Sequence, residues 1–184
     1  DYPIFTVASG PSNSVRGAAY LSGIENGIIV DVGGTTTDVG ALTDGFPRES
    51  SVAVEIGEVK TNFRMPDLIA LGIGGGSYVN SGPDGKGTVG PESVGYRLTE
   101  EARCFGGSTL TATDVEVAAS DLDIGDTNPT VERDTVQKAR EYIRTEVERA
   151  VDQMKTSPEP VPVVVVGGGS ILIPTDLDGA SKVY

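Results

Sequence analysis

Two aspartates, Asp31 and Asp38, bracket the run Gly33-Gly34-Thr35-Thr36-Thr37. Glycines without a Cβ let another group approach the backbone closely, so their N–H donors can face an anion. The threonine hydroxyls add further donors. The two carboxylates would repel a bare phosphate. They make sense if a hydrated divalent cation sits between carboxylate and phosphate, or if one of them orients a water. Without any chemistry the stretch is a Gly-Thr hairpin turn, which requires no acids. Two further glycine clusters each follow an apolar run: Gly74-Gly75-Gly76-Ser77 and Gly167-Gly168-Gly169-Ser170. The first lacks the third glycine of a dinucleotide fingerprint and is equally readable as a structural turn. Gly85-Lys86-Gly87-Thr88 fails as a P-loop, because a glycine separates the lysine from the threonine.

The elements that must position these residues are legible around them. Ile28-Ile29-Val30-Asp31-Val32 and Val39-Gly40-Ala41-Leu42 predict the arms of a tight β-hairpin. Ser9-Gly10-Pro11-Ser12-Asn13-Ser14 supplies helix-start chemistry for Val15 to Leu21, with Gly23 as the stop. That helix is rich in small residues and suits either close packing against another subdomain or plain core packing. Residues 51–56, 63–66 and 68–73 read as extended, and residues 80–90 as an exposed hairpin. Thr113-Asp114-Val115-Glu116 matches a capping box opening a short helix, and residues 121–129 form an acidic turn region. The strongest helix spans residues 131–154. Val136, Ala139, Ile143, Val147, Ala150 and Met154 recur at spacings of three and four, which makes a core-facing stripe. Lys138, Arg140, Glu141, Arg144, Glu148 and Arg149 cover the opposite face. Val161-Pro162-Val163-Val164-Val165-Val166 then predicts a fully buried strand emptying into glycines, the edge where α/β sheets hold ligands.

Composition bounds the function. The 184 residues carry 14 Lys and Arg against 27 Asp and Glu, a formal charge of −13, and no histidine. Such acidity disfavours nucleic acid and anionic membrane surfaces as partners. A small nucleotide bound with a metal ion stays compatible. Without histidine the commonest general base and transition-metal ligand is missing, so a bound metal should be a hard, oxygen-liganded one. Cys104 is the single cysteine; it reads as a buried small hydrophobe rather than a nucleophile and fits a reducing compartment. Arg64, Arg97 and Arg103 are candidates for an anion contact, with surface solvation as the plainer role. No stretch has the length and apolarity of a membrane span. The opening Asp1-Tyr2-Pro3 has neither signal-peptide character nor an initiator methionine, so the chain is expected to be part of something larger.

Pairing an Asp-x-Gly-Gly-Thr-Thr-Thr-Asp hairpin with a late valine strand ending in Gly-Gly-Gly-Ser resembles the actin, sugar-kinase and Hsp70-type ATPase superfamily. Residues Ser9 to Ser14, Ile28 to Gly40, Gly72 to Ser77, Val89-Gly90-Pro91-Glu92-Ser93-Val94-Gly95 and Val163 to Ser170 together resemble the hydantoinase A/oxoprolinase family in order and spacing. The resemblance implies an α/β fold, a ribonuclease H-like subdomain of the actin/Hsp70 type with a mixed sheet flanked by helices. It implies one domain over residues 1–184, lacking the first phosphate motif and the second connecting helix, and so holding half an ATP site. It also implies an ATP-dependent cyclic-amide hydrolase, cytoplasmic, using ATP and Mg²⁺ on a lactam such as 5-oxoproline or a hydantoin. The partners would be the remaining domains and a hydantoinase B-like subunit. The fragment alone would be inactive. Other readings on the same fold are a non-catalytic ATP-binding regulator, a ketone carboxylase subunit and a small-metabolite kinase. The implied site has Asp31 and Asp38 binding Mg²⁺ through water or orienting the attacking group. Gly33, Gly34, Thr35, Thr36 and Thr37 would hold phosphate, and Gly167, Gly168, Gly169 and Ser170 would pack on the adenosine. Gly74, Gly75, Gly76 and Ser77 would line the same cleft.

Overall fold

A computed structural model describes residues 9–50, 55–56, 59–60, 65–81, 87–120 and 122–184. The β-branched run before Gly33 forms strand β1 (Gly27–Val32), and the chain returns antiparallel as β2 (Thr37–Thr43), Gly27 facing Leu42 and Val32 facing Thr37. The outer edge of β2 is shared by two partners. Its end near the turn pairs with β6 (Leu68–Leu71), and its far end with the short β3 (Phe46–Pro47). On the other side β1 lies parallel to β9 (Val161–Val166), and β9 parallel to β10 (Ala180–Val183). The result is a mixed sheet in the order β10-β9-β1-β2-β3, with β6 beside β2.

Helices cover both faces. Helix α1 (Ser9–Ser22) ends at Gly23, whose φ of +69° suits a glycine stop. It lays Val15, Ala18 and Ala19 on Ile29, Leu42 and Val164. Close packing comes from Ala18 and Ala19, which are buried, and from Gly40 of β2, where a Cβ would stand 3.2 Å from Val15 Cγ2; Gly10 and Gly17 have nothing within 4 Å of a Cβ. On the opposite face the 22-residue α4 (Arg133–Met154) packs Ala139, Ile143, Val147, Ala150, Val151 and Met154 against Ile28, Val30, Val32 and Val39. This is the stripe that the spacing predicts. The helix begins two residues later than expected, because Glu132 is extended and acts as the N-cap.

Three further expectations are corrected. Strand β9 is fully buried only at Val163 and Val164, since its flanking residues reach the rims of the sheet. The capping box of α3 (Ala112–Ser120) lies two residues earlier than the sequence pattern indicates. Asp114 Oδ2 accepts the Thr111 N–H at 2.7 Å and the Thr111 hydroxyl at 2.8 Å. Glu116 instead takes a two-pronged contact from Arg140 of α4, at 2.8 and 2.5 Å. That contact makes part of the polar face of α4 an inter-helix clamp. The hairpin expected to be exposed over residues 80–90 is longer and packs on the core: β7 (Ser77–Ser81) and β8 (Gly87–Ser93) pair from Ser77 opposite Ser93 to Ser81 opposite Gly87, and Val89 is buried in the cluster of α4. Of the expected strand over residues 51–56, only Glu55–Ile56 (β4) is described, paired with Val59–Lys60 (β5). The rest of it, with Phe63 and Arg64, lies outside the described residues. Helix α2 (Leu98–Glu101) follows a short 3₁₀ turn over Gly95–Arg97. No helix among the described residues is long and apolar enough to cross a membrane.

Candidate functional site

The alternation of β1 sends Ile28, Val30 and Val32 toward α4, and so turns Asp31 to the other face with Ile29. Asp38 is its direct cross-strand partner, and opposed residues of an antiparallel pair point to the same side. Two carboxylates thus share one face at the mouth of the hairpin. The Asp38 carboxyl is held above the usual carboxylate range, by burial first and by the charge of Asp31 second. A pair in this state suits a divalent cation. Mg²⁺ keeps most of its water and takes only one or two carboxylates, so two acids suffice. Among the described residues no cluster of three or more His, Cys, Asp or Glu could hold a metal. Helix α1 covers this same face, with Val15, Ala18 and Ala19 against Ile29, Leu42 and Val164.

The glycine end of β9 is brought onto the same corner. In the parallel register Val166 stands beside Asp31. Gly169 N–H donates to Val32 O at 2.9 Å. A Cβ on Gly167 would meet Val32 O at 2.3 Å and Asp31 Oδ1 at 2.6 Å, and its φ is +92°, so the backbone there requires glycine. A Cβ on Gly169 would lie 2.7 Å from Val32 Cγ1. Gly168 differs: it is exposed, and nothing lies within 4 Å of where its Cβ would be. Ser170 opens the 3₁₀ turn Ser170–Leu172, and its N–H closes the preceding glycine turn on Gly167 O at 3.1 Å.

Within the hairpin tip the donors divide. Gly33 N–H closes the turn on Thr36 O at 2.8 Å. Thr37 is wholly buried, and its hydroxyl donates to Ile73 O at 2.7 Å. Gly34, Thr35 and Thr36 are exposed, and their N–H groups meet no acceptor among the described residues. The free donors are therefore the tip amides and the hydroxyls of Thr35 and Thr36, a narrower set than residue types alone indicate. Gly74, Gly75, Gly76 and Ser77 are all buried and lie under the tip. Gly75 N–H donates to Gly33 O at 3.0 Å and Gly76 N–H to Gly34 O at 2.7 Å. Their amides thus face the hairpin.

Other candidates sit apart from this corner. Cys104 is buried, and burial, then the hydrogen bond and charge of Asp114, push its thiol up to about 12. Such a thiol is not a nucleophile at neutral pH. Arg97 pairs with Glu101 at 2.9 Å, and Arg103 Nε donates to Ser108 O at 3.3 Å. A cavity of about 450 Å³, lined by Val117 and residues 122–128, falls on the acidic turn region instead.

A hydantoinase/oxoprolinase family model matches residues 1–161. The chain is 33% identical over 118 residues to the acetophenone carboxylase gamma subunit of Aromatoleum aromaticum, covering 61% of this chain and 16% of the relative. It is 33% identical over 116 residues to the acetone carboxylase beta subunit of Xanthobacter autotrophicus, covering 59% and 16%. Among solved structures it is similar to an ATP-dependent caprolactamase from Pseudomonas jessenii, with a TM-score of 0.67, 22% identity, and 93% of this chain and 31% of that one covered. A nucleotide-free acetone carboxylase gives a TM-score of 0.66 at 20% identity, over 91% and 28%. The chain therefore spans about a sixth of the length of these curated relatives. The chain shares the fold of these two structures, a mixed sheet with helices on both faces.

Proposed function

The chain belongs to the hydantoinase/oxoprolinase family, and on that premise we propose that it forms one wall of an ATP site in a larger enzyme that activates a carbonyl oxygen. The observation that carries this reading is the meeting, at one corner of the sheet, of the Asp31–Asp38 hairpin and the glycine end of β9. When bound, ATP would supply a phosphoryl group to the carbonyl oxygen of an amide, or to the enol oxygen of a ketone, with release of ADP. Phosphoryl transfer asks chiefly for positioning and charge neutralisation. The exposed amides of Gly34, Thr35 and Thr36, with the hydroxyls of Thr35 and Thr36, would hold phosphate oxygens. Asp31 and Asp38 would hold Mg²⁺ through its water shell, or orient the attacking group. Gly167, Gly168, Gly169 and Ser170 would lie against the adenosine, the open side of Gly168 leaving room for it. Gly33, Thr37 and the Gly74–Ser77 segment would support the hairpin from behind.

The substrate we favour is a cyclic amide such as a lactam or hydantoin, opened by hydrolysis in the cytoplasm with the remaining domains and a hydantoinase B-like subunit. Ketone activation for carboxylation is the second reading, favoured by the 33% identity to two ketone carboxylase subunits. ATPase assays of the full-length protein with 5-oxoproline, a hydantoin and acetone in turn separate the two. Calorimetry with Mg²⁺-ATP on the full-length protein tests the site itself. Gly168→Val places its side chain in open space, so it should fold normally and lose affinity at least about tenfold, the scale of one lost good contact. Asp31→Ala should lose the Mg²⁺ dependence of binding. Wild-type affinity in both variants would rule the assignment out.

A further inference from the structure

We propose that the buried Gly74-Gly75-Gly76 strip, anchored by the first turn of α3 and joined by Ser93 at the Gly34 carbonyl, is the orienting support of the anion-binding tip. This rests on the ATP reading above and adds positioning residues to it. A trans peptide group holds its C=O and the following N–H pointing in opposite directions. The one cis peptide bond among the described residues is Gly90-Pro91, so the tip peptides are trans. Gly75 N–H draws the Gly33 carbonyl back into the body, and Gly76 N–H draws back the Gly34 carbonyl. The same two peptide planes must then turn the Gly34 and Thr35 N–H groups the other way. That is the disposition an oxyanion requires, and it is imposed from behind.

The strip is itself anchored. Gly75 O accepts the Thr113 N–H at 3.0 Å and the Thr113 hydroxyl at 2.9 Å. Gly74 N–H donates to Ser77 Oγ at 2.9 Å, and Val94 N–H to Gly76 O at 2.9 Å. Ser93 Oγ accepts the Gly95 N–H at 3.0 Å and donates to Gly34 O at 3.4 Å, the carbonyl that Gly76 also holds. Contact is close enough to require glycine. A Cβ on Gly74 would meet Thr35 N at 2.5 Å, and one on Gly76 would meet Ser93 Oγ at 2.9 Å and Gly34 O at 3.0 Å. Backbone lies directly on backbone, so a displacement of the strip is passed to the tip amides.

The test compares Mg²⁺-ATP and adenosine binding to the full-length protein by calorimetry, since adenosine has no phosphate for the tip to hold. Wild type should prefer ATP. Gly76→Ala should reduce ATP affinity about tenfold, the value of one charge-assisted hydrogen bond, and leave adenosine affinity unchanged. A general folding defect would lower both. Ser93→Ala should lose about threefold for ATP alone, as for one neutral hydrogen bond, and Ser93→Thr should recover it. If Gly76→Ala does not fold, the Ser93 pair decides. An unchanged preference for ATP in the variants, or no recovery by Ser93→Thr, overturns the support role while leaving the nucleotide site intact. A wild type that does not prefer ATP removes the nucleotide reading and this proposal together.

Discussion

Asp38 shows how one residue links the site to stability. Its folded-state pKa lies above the ordinary carboxylate value, so the folded chain holds a proton that the unfolded chain would release. Stability therefore falls as pH rises from the ordinary carboxylate range through the raised value, and the penalty stays in full above it. Replacing the charge removes the penalty. We expect Asp38→Asn to raise Tm at pH 7 by about 2 °C, the scale for a solvent-screened group in a chain of this size. The gain should vanish when the melt is repeated below the ordinary carboxylate range. Added Mg²⁺ should raise the wild-type Tm and leave that of the variant unchanged. A lower Tm for Asp38→Asn at neutral pH would show that the paired carboxylates stabilise the hairpin rather than strain it.

At the scale of elements, the start of α3 ties the loop around Cys104 to the glycine strip. Asp114 is fully buried and accepts the N–H groups of Cys104 at 2.7 Å, Thr111 at 2.7 Å and Arg103 at 3.3 Å. Asp114→Ala would remove a helix cap and orphan buried donors, at a cost of about 3 kcal/mol in urea unfolding. Asp114→Asn retains an acceptor oxygen and should cost less. Equal stability of Asp114→Ala and wild type would show that water replaces the carboxylate. The capping box was partly legible: its residue types were visible, but overlapping Thr-x-x-acid patterns start at Thr111 and Thr113. The tie was broken in space, because Glu116 meets Arg140 across the α3–α4 contact.

For the whole molecule, one core joins the helix stripe to the hairpin. Ile143 of α4 is fully buried in the same cluster as Val30, Val32 and Val39. Ile143→Ala should cost about 2–5 kcal/mol in stability by leaving a cavity under β1 and β2. If the variant still folds, its Mg²⁺-ATP affinity should be near wild type, since the carboxylates face α1. A large affinity loss with intact folding would mean that packing on the α4 face sets the hairpin geometry.

Local chemistry alone determined the hairpin, both long helices and the glycine end of β9, because β-branching, a three-and-four apolar spacing and glycine stops act over a few residues. The pairing of Asp31 with Asp38 was nearly determined as well, since a tight turn fixes its own register. Tertiary structure alone decided which donors of the tip stay free. Gly33 and Thr37 carry the same groups as Gly34 and Thr36, but the turn closure and the Ile73 carbonyl consume them. It also decided that Gly74, Gly75 and Gly76 lie beneath the hairpin, Gly74 against Thr35 and Gly76 against the Gly34 carbonyl. A glycine's missing side chain is visible in a sequence; what fills the space it leaves depends on which distant segment the fold lays against it.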